Sequence, residues 1–87
     1  MNCVYILQSI VDGDYYIGST NDLNRRFAEH SEGRVISTKN KRPLKIVFTQ
    51  EYQTLFLARS VEYKLKKLKS RKIVGMIIDD GFIRIGS

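Results

Sequence analysis

Two runs of strand-forming residues, "CVYILQS" (Cys3 to Ser9) and "DYYIGS" (Asp14 to Ser19), flank an Asp12-Gly13 pair. A turn pair between aromatic and β-branched runs predicts a β-hairpin. An 87-residue chain has room for one domain and one core, so that hairpin must form part of it. After Gly18, "STND" offers several helix N-caps, Leu23 and Phe27 recur at i, i+4, and Gly33 offers a stop. A helix from about Asp22 to about Ser31 follows. Arg26 and His30 then flank the line through Leu23 and Phe27 at the margin of the buried face, where both reach over the sheet.

The stretch "GRVISTKNKRP" (Gly33 to Pro43) reads as a polar basic loop, and "LKIVFTQ" (Leu44 to Gln50) as a half-buried third strand. Thr54 caps a long helix with Leu55, Ala58, Val61, Leu65 and Leu68 on one side, and Glu62 about 60° from the middle of that stripe. Ser70 caps a short third helix through Ile78, which "DDG" ends. The tail from about residue 80 to 87, "FIRIGS" included, adds a strand or stays loose. The predicted order is β-β-α-β-α-α in a single α+β (α/β) domain over residues 1–87.

Fifteen Lys plus Arg against nine Asp plus Glu give a formal net charge of +6 and a pI of about 9.7, which points to an anionic partner, nucleic acid first. No acidic residue occurs from Tyr63 to Ile78, while Lys64, Lys66, Lys67, Lys69, Arg71 and Lys72 crowd the first half of that stretch. The plain alternative is a solvated helix face. The apolar run "IVGMII" (Ile73 to Ile78) is far short of the roughly 20 residues of a membrane span. "MNCVYILQS" carries no secretion leader, and the lone Cys3 suits a reducing compartment, so a cytoplasmic protein with no membrane partner is expected.

One cysteine and one histidine exclude a Cys/His zinc cluster, and neither a glycine-rich phosphate loop nor a Ser-His-Asp signature is visible. Tyr5, Tyr15, Tyr16, Arg26, His30 and Glu62 remain. They include what phosphodiester cleavage needs: a carboxylate for Mg²⁺, a guanidinium for phosphate, and phenol or imidazole for proton transfer. Singly, each has a commonplace role: strand packing for a tyrosine, a surface arginine, a helix-end histidine, and an i, i+4 pair of Glu62 with Lys66.

In order along the chain, these residues resemble the GIY-YIG nuclease superfamily, and the likeness covers almost the whole sequence. "CVY" (Cys3, Val4, Tyr5) corresponds to the first motif and "YIG" (Tyr16, Ile17, Gly18) to the second. "YIGSTNDLNRRFAEH" is similar to the family's strand, turn and first helix, with Arg26 at the family arginine and His30 one turn later. "RSVEYKLKKLK" resembles the helix bearing the metal-binding glutamate, here Glu62. The small stand-alone bacterial members, often called uncharacterised or excision-nuclease-like, are the nearest in form. Two departures stand out: Cys3 replaces the first motif glycine, and no asparagine follows Asn40, although several relatives carry one after the glutamate.

The resemblance implies a three-stranded antiparallel sheet flanked by helices and a DNA endonuclease, with structure-selective cutting in repair or recombination as the setting. One divalent ion is implied, Mg²⁺ with Mn²⁺ as the alternative, held by Glu62. Arg26 would neutralise charge on the phosphate, Tyr5 or Tyr16 would orient or deprotonate water, and His30 would assist or touch the phosphate. The two tyrosine hydroxyls are expected close together, with nearby cations lowering the phenol pKa. Gly18 is the structural motif glycine. Lys39, Lys41, Arg42, Lys64, Lys66, Lys67 and Lys69 are expected to track nucleic-acid backbone. Selectivity would come from DNA shape or a protein partner, for which the tail residues Phe82, Ile83 and Ile85 are the candidate docking surface, with packing of the tail back on the sheet as the favoured alternative. The alternatives are an RNA nuclease and a non-catalytic module that binds nucleic acid or recruits a partner.

Overall fold

The computed structural model describes residues 1–84. Strands β1 (Asn2–Ser9) and β2 (Tyr15–Thr20) lead into helix α1 (Leu23–Ser31), a 3₁₀ turn (Lys39–Lys41), strand β3 (Leu44–Tyr52), and helices α2 (Leu55–Leu68) and α3 (Arg71–Asp80). The sheet is antiparallel with the order β2-β1-β3, so β1 is central and β2 an edge. This is the expected three-stranded α+β arrangement. The hairpin closes through residues 10–14, where the Ser9 N–H donates to the Asp14 carbonyl at 2.9 Å. Gly13, at φ +78°, supplies the left-handed turn position.

Both faces of β1 are covered, and the residues from Cys3 to Leu7 are all buried. Val4 and Ile6 join Phe48, Ala58, Val61, Leu65, Val74, Ile77 and Ile83 in the larger core. Tyr5 and Leu7 join Leu44 in a smaller cluster against Tyr16, Leu23 and Phe27. Helix α1 therefore covers one face of the sheet, and α2 with α3 the other. β2 alternates in step, with Gly18 opposite Tyr5 and Tyr16 opposite Leu7, while Ile17 and Ser19 lie opposite Ile6 and Val4. The register of β3 shifts between Ile6 and Leu7, so that Phe48 pairs with Ile6 but Ile46 with Leu7. That one-residue shift turns Phe48 to the larger core and leaves Leu44 on the α1 face.

Asp22, Thr54 and Ser70 cap the three helices, their side-chain oxygens accepting the N–H groups of Arg25, Leu57 and Ile73 at 3.1 Å each. The last two caps are those read from the sequence, and Asp22 is the one chosen from "STND". Some boundaries differ from expectation. α3 runs to Asp80 and ends on Gly81 at φ +86°, β3 extends two residues past Gln50 to Tyr52, and the basic loop contains the 3₁₀ turn. Leu68, expected in the buried stripe, is 47% exposed, because Lys69 at φ +48° ends the helix and turns the chain away.

At Ile83 the tail packs back on the core, the favoured alternative to docking, while Phe82 is 44% exposed. Ile83 is 5% exposed in the larger core. Its N–H donates to Gln50 Oε1 at 2.7 Å, and its carbonyl accepts from Gln50 Nε2 at 3.4 Å. Residues 82–84 form no strand, and Ile85 lies outside the described residues. No helix among the described residues is long and apolar enough to cross a membrane.

Candidate active site

The Tyr5 ring leaves the central strand and passes over its neighbour at Gly18, the residue paired with it in β2. A Cβ built at position 18 would lie 2.3 Å from the Tyr5 hydroxyl oxygen. Glycine is therefore required there by close approach, with no turn involved. The hydroxyl meets His30 Nε2 at 3.0 Å, and the two rings stand edge to face, 5.8 Å apart at 73°. On the other side of the imidazole, Nδ1 lies 2.8 Å from Thr38 Oγ1. Thr38 is fully buried, so the basic loop is pinned inward at this residue. Both ring nitrogens of His30 are thus satisfied, as burial demands.

Burial pushes the His30 pKa below its ordinary value, and the Arg26 guanidinium adds to the fall, against Glu29. The Tyr5 phenol is pushed up by burial, and Arg26 beside it opposes that rise without cancelling it. Tyr16 is also raised by burial, against Lys41 and with help from Asp12 and Asp14. The expectation that nearby cations lower these phenols is thus corrected for the protein's own groups, since desolvation dominates. No hydrogen bond joins the two tyrosine hydroxyls among the described residues. They share one face of the hairpin, but Tyr5 is committed to His30.

Glu62 arrives from the opposite face of the sheet. The Ser19 hydroxyl donates to its Oε1, and Lys66 Nζ lies 2.6 Å from its Oε2. Groups from the two faces can meet because β2 is an edge strand: its residues Tyr15 to Ser19, pointing alternately to either face, all line one cleft of about 380 Å³. Tyr5, Arg26, His30, Glu62 and Lys66 line the same cleft. Arg26 Nη1 is 2.9 Å from Glu29 Oε1 one turn along α1, leaving its other donors for a ligand. A carboxylate, a guanidinium and a hydrogen-bonded phenol–imidazole pair around one concavity can hold an anion and move a proton beside it.

The expected site residues Tyr5, Tyr16, Gly18, Arg26, His30 and Glu62 therefore lie together. The basic residues expected to track nucleic acid divide. Lys66 lines the cleft, and Lys69 lines an adjoining hollow with Tyr15, Tyr16 and Arg71. Lys41 pairs with Asp12 at 2.6 Å. Lys39 and Arg42 border a separate hollow with Ser31 and Pro43. Lys64 and Lys67 are absent from the cleft lining, and Lys67 sits 6.0 Å over the Tyr63 ring. Helical geometry explains the division, because Lys66 is one turn beyond Glu62 whereas Lys64 and Lys67 lie roughly 200° and 140° around from it. Sequence reasoning missed Ser19 and Thr38, whose importance rests on contacts across the fold with no local pattern to announce them.

A family profile described as the GIY-YIG catalytic domain matches residues 1–74. The UPF0213 protein YazA of Bacillus subtilis is 37% identical over 62 residues, covering 70% of this chain and 63% of the relative. The matched stretch is therefore under two thirds of that relative's length. A UPF0213 protein of Limosilactobacillus reuteri is 30% identical over 81 residues, 90% of this chain and 83% of its own. Among solved structures, the solution NMR structure of a UPF0213 protein from Bacillus halodurans superposes with a TM-score of 0.57 at 32% identity, covering 92% of this chain and 85% of that one.

Proposed function

This chain belongs to the GIY-YIG catalytic-domain family, and on that premise we propose that it is a metal-dependent endonuclease hydrolysing phosphodiester bonds of DNA. The observation that carries this reading is the hydrogen-bonded run from Tyr5 through His30 to Thr38, set beside Arg26 in the cleft that Glu62 also lines. A purely packing role for Tyr5 would not require its hydroxyl to end at an imidazole.

In this mechanism Arg26 binds the scissile phosphate and neutralises the charge that develops on it. His30, kept neutral by burial, carries its proton on Nδ1 toward Thr38 and accepts the Tyr5 hydroxyl proton at Nε2. The Tyr5 oxygen can then take a proton from the attacking water. Glu62 and the Ser19 hydroxyl supply hard oxygen donors that fit Mg²⁺ or Mn²⁺. Among the described residues no group of three His, Cys, Asp or Glu side chains forms a fuller ligand set; Mg²⁺ commonly binds through one or two carboxylates plus water and substrate phosphate. Bound there, the ion would supply Lewis-acid stabilisation of the leaving oxygen. Lys66 must first release Oε2.

A second reading, a non-catalytic nucleic-acid-binding module, is favoured by one observation: both Glu62 oxygens already have partners in Ser19 and Lys66. Incubation with duplex, flapped and branched DNA and with RNA, with Mg²⁺, Mn²⁺ or chelator, separates the two. The nuclease cuts DNA only with metal, and Glu62→Gln abolishes cutting without changing the circular dichroism spectrum. Binding with no cleavage under any metal condition would establish the second reading.

A further inference from the structure

Beyond Ser19 and Arg26 the cleft opens into a second hollow of about 510 Å³, where Arg25 and Arg26 from α1 meet Arg59 from α2 beside Asn21. Glu29 is the one carboxylate in its lining, and Arg26 already engages it at 2.9 Å. Arg25 and Arg59, both exposed, have no side-chain hydrogen bond or ion pair with any described residue. Like charges on separate helices repel when they converge on one concavity, and the single carboxylate there, Glu29, is set against three arginines.

The other flank of the cleft is built differently. There Lys41 lies 2.6 Å from Asp12 and 3.9 Å from Asp14, and Arg71 lies 3.6 Å from Asp14 while covering the Tyr15 ring at 4.7 Å. Lys41 and Arg71 are thus partnered internally on that flank, whereas Arg25 and Arg59 form no ion pair with a described residue. Guanidinium presents a planar fork of donors that matches phosphate oxygens.

We infer that the Arg25–Arg59 hollow is a second phosphate-binding site, taking a phosphate of the nucleic acid next to the one held at Arg26. The site rests on the nuclease reading and sets the direction in which the strand leaves the cleft, along α1 and the start of α2 and away from the hairpin loop. The shared ligand chemistry is a phosphate, either an internal diester or a strand's terminal 5′-phosphate.

The test measures binding alone, by fluorescence anisotropy in chelator, of labelled oligonucleotides with and without a 5′-phosphate, over a range of salt. The proteins compared are wild type, the exposed pair Arg25→Gln/Arg59→Gln, and Lys45→Gln on the far edge strand. Losing one phosphate contact should flatten the log–log salt slope by about 0.9 for duplex, or about 0.7 for single strands, in the arginine double variant and not in Lys45→Gln. A change with both oligonucleotides identifies an internal diester; a change confined to the phosphorylated one identifies the terminal group. If wild type binds and the double variant keeps its slope, the second site is overturned while the nuclease reading stands. If wild type binds no nucleic acid at any salt, the nuclease reading itself fails.

Discussion

On one side of β1, Val4 and Ile6 are fully buried among apolar side chains from β3, α2 and α3. On the other side Tyr5 is almost as deeply buried, at 3% exposed, yet its ring ends on an imidazole that is itself bonded to a hydroxyl. The same strand, alternating residue by residue, thus separates two environments. The α2/α3 face is held by non-directional burial, which tolerates changes of shape better than changes of volume. The α1 face is held by directional polar contacts in a low-dielectric setting, where a missing partner costs more than a missing methyl. On the proposed function, chemistry is lodged in the second environment and stability in the first.

The sharpest way to break this comparison is to alter adjacent residues of β1. Ile6→Ala should lose about 2–5 kcal/mol of stability, a large part of a small domain's total, while the folded fraction keeps its specific cleavage rate. Tyr5→Phe should do the opposite: cleavage should fall by about 10²–10⁴-fold, with a smaller stability cost of about 1–3 kcal/mol from the orphaned His30 Nε2. Denaturant melts paired with cleavage assays decide it. A Tyr5→Phe protein that cuts at the wild-type rate would remove the phenol from the chemistry.

Gly18→Ala probes the boundary between the two environments, because its Cβ falls on the Tyr5 hydroxyl. The phenol must shift, so a stability loss of about 1–3 kcal/mol should accompany reduced cleavage. A Gly18→Ala/Tyr5→Phe double variant whose loss equals the sum of the two single losses would show that the clash is not with the hydroxyl.

The smallest effect is one of pH. The folded His30 pKa lies below 6.5, so as pH falls the unfolded chain takes up the proton first, and stability is lost as pH drops below about 6.5 toward the folded value. Cleavage should hold through that window and fall only as pH reaches the lower, folded value, since a protonated Nε2 cannot accept from Tyr5. The chain has a single histidine, so its ring can be followed by NMR without ambiguity. His30→Gln should flatten the stability profile in that window; an unchanged profile would assign the dependence to carboxylates.

Local chemistry made much of this legible in advance. The hairpin, the caps at Thr54 and Ser70, and the stripe through Ala58, Val61 and Leu65 follow from turn residues, hydroxyl caps and helical period, all of which act within a few residues. Leu68 was misplaced, and Ile83 left between packing and docking, for a different reason. Whether an apolar residue near an element's end is covered depends on which way the chain departs, set here by Lys69 and by Gln50. The candidate site divides similarly. The order Tyr5, Tyr16, Gly18, Arg26, His30, Glu62 can be read along the chain, and the helical period places Arg26 and His30 on one side of α1.

Only the tertiary structure decided that Glu62, from the face of the sheet opposite Tyr5, shares a cleft with it, because that depends on β2 being an edge narrow enough for side chains to meet around it. The same holds for Ser19 and Thr38, for the separation of Lys66 from Lys64 and Lys67, and for the convergence of Arg25 with Arg59. The sequence by itself determined which elements form, since periodicity and capping are short-range. Which side chains meet was left to the packing of those elements, because contacts between residues dozens of positions apart are selected by the shape of the whole core.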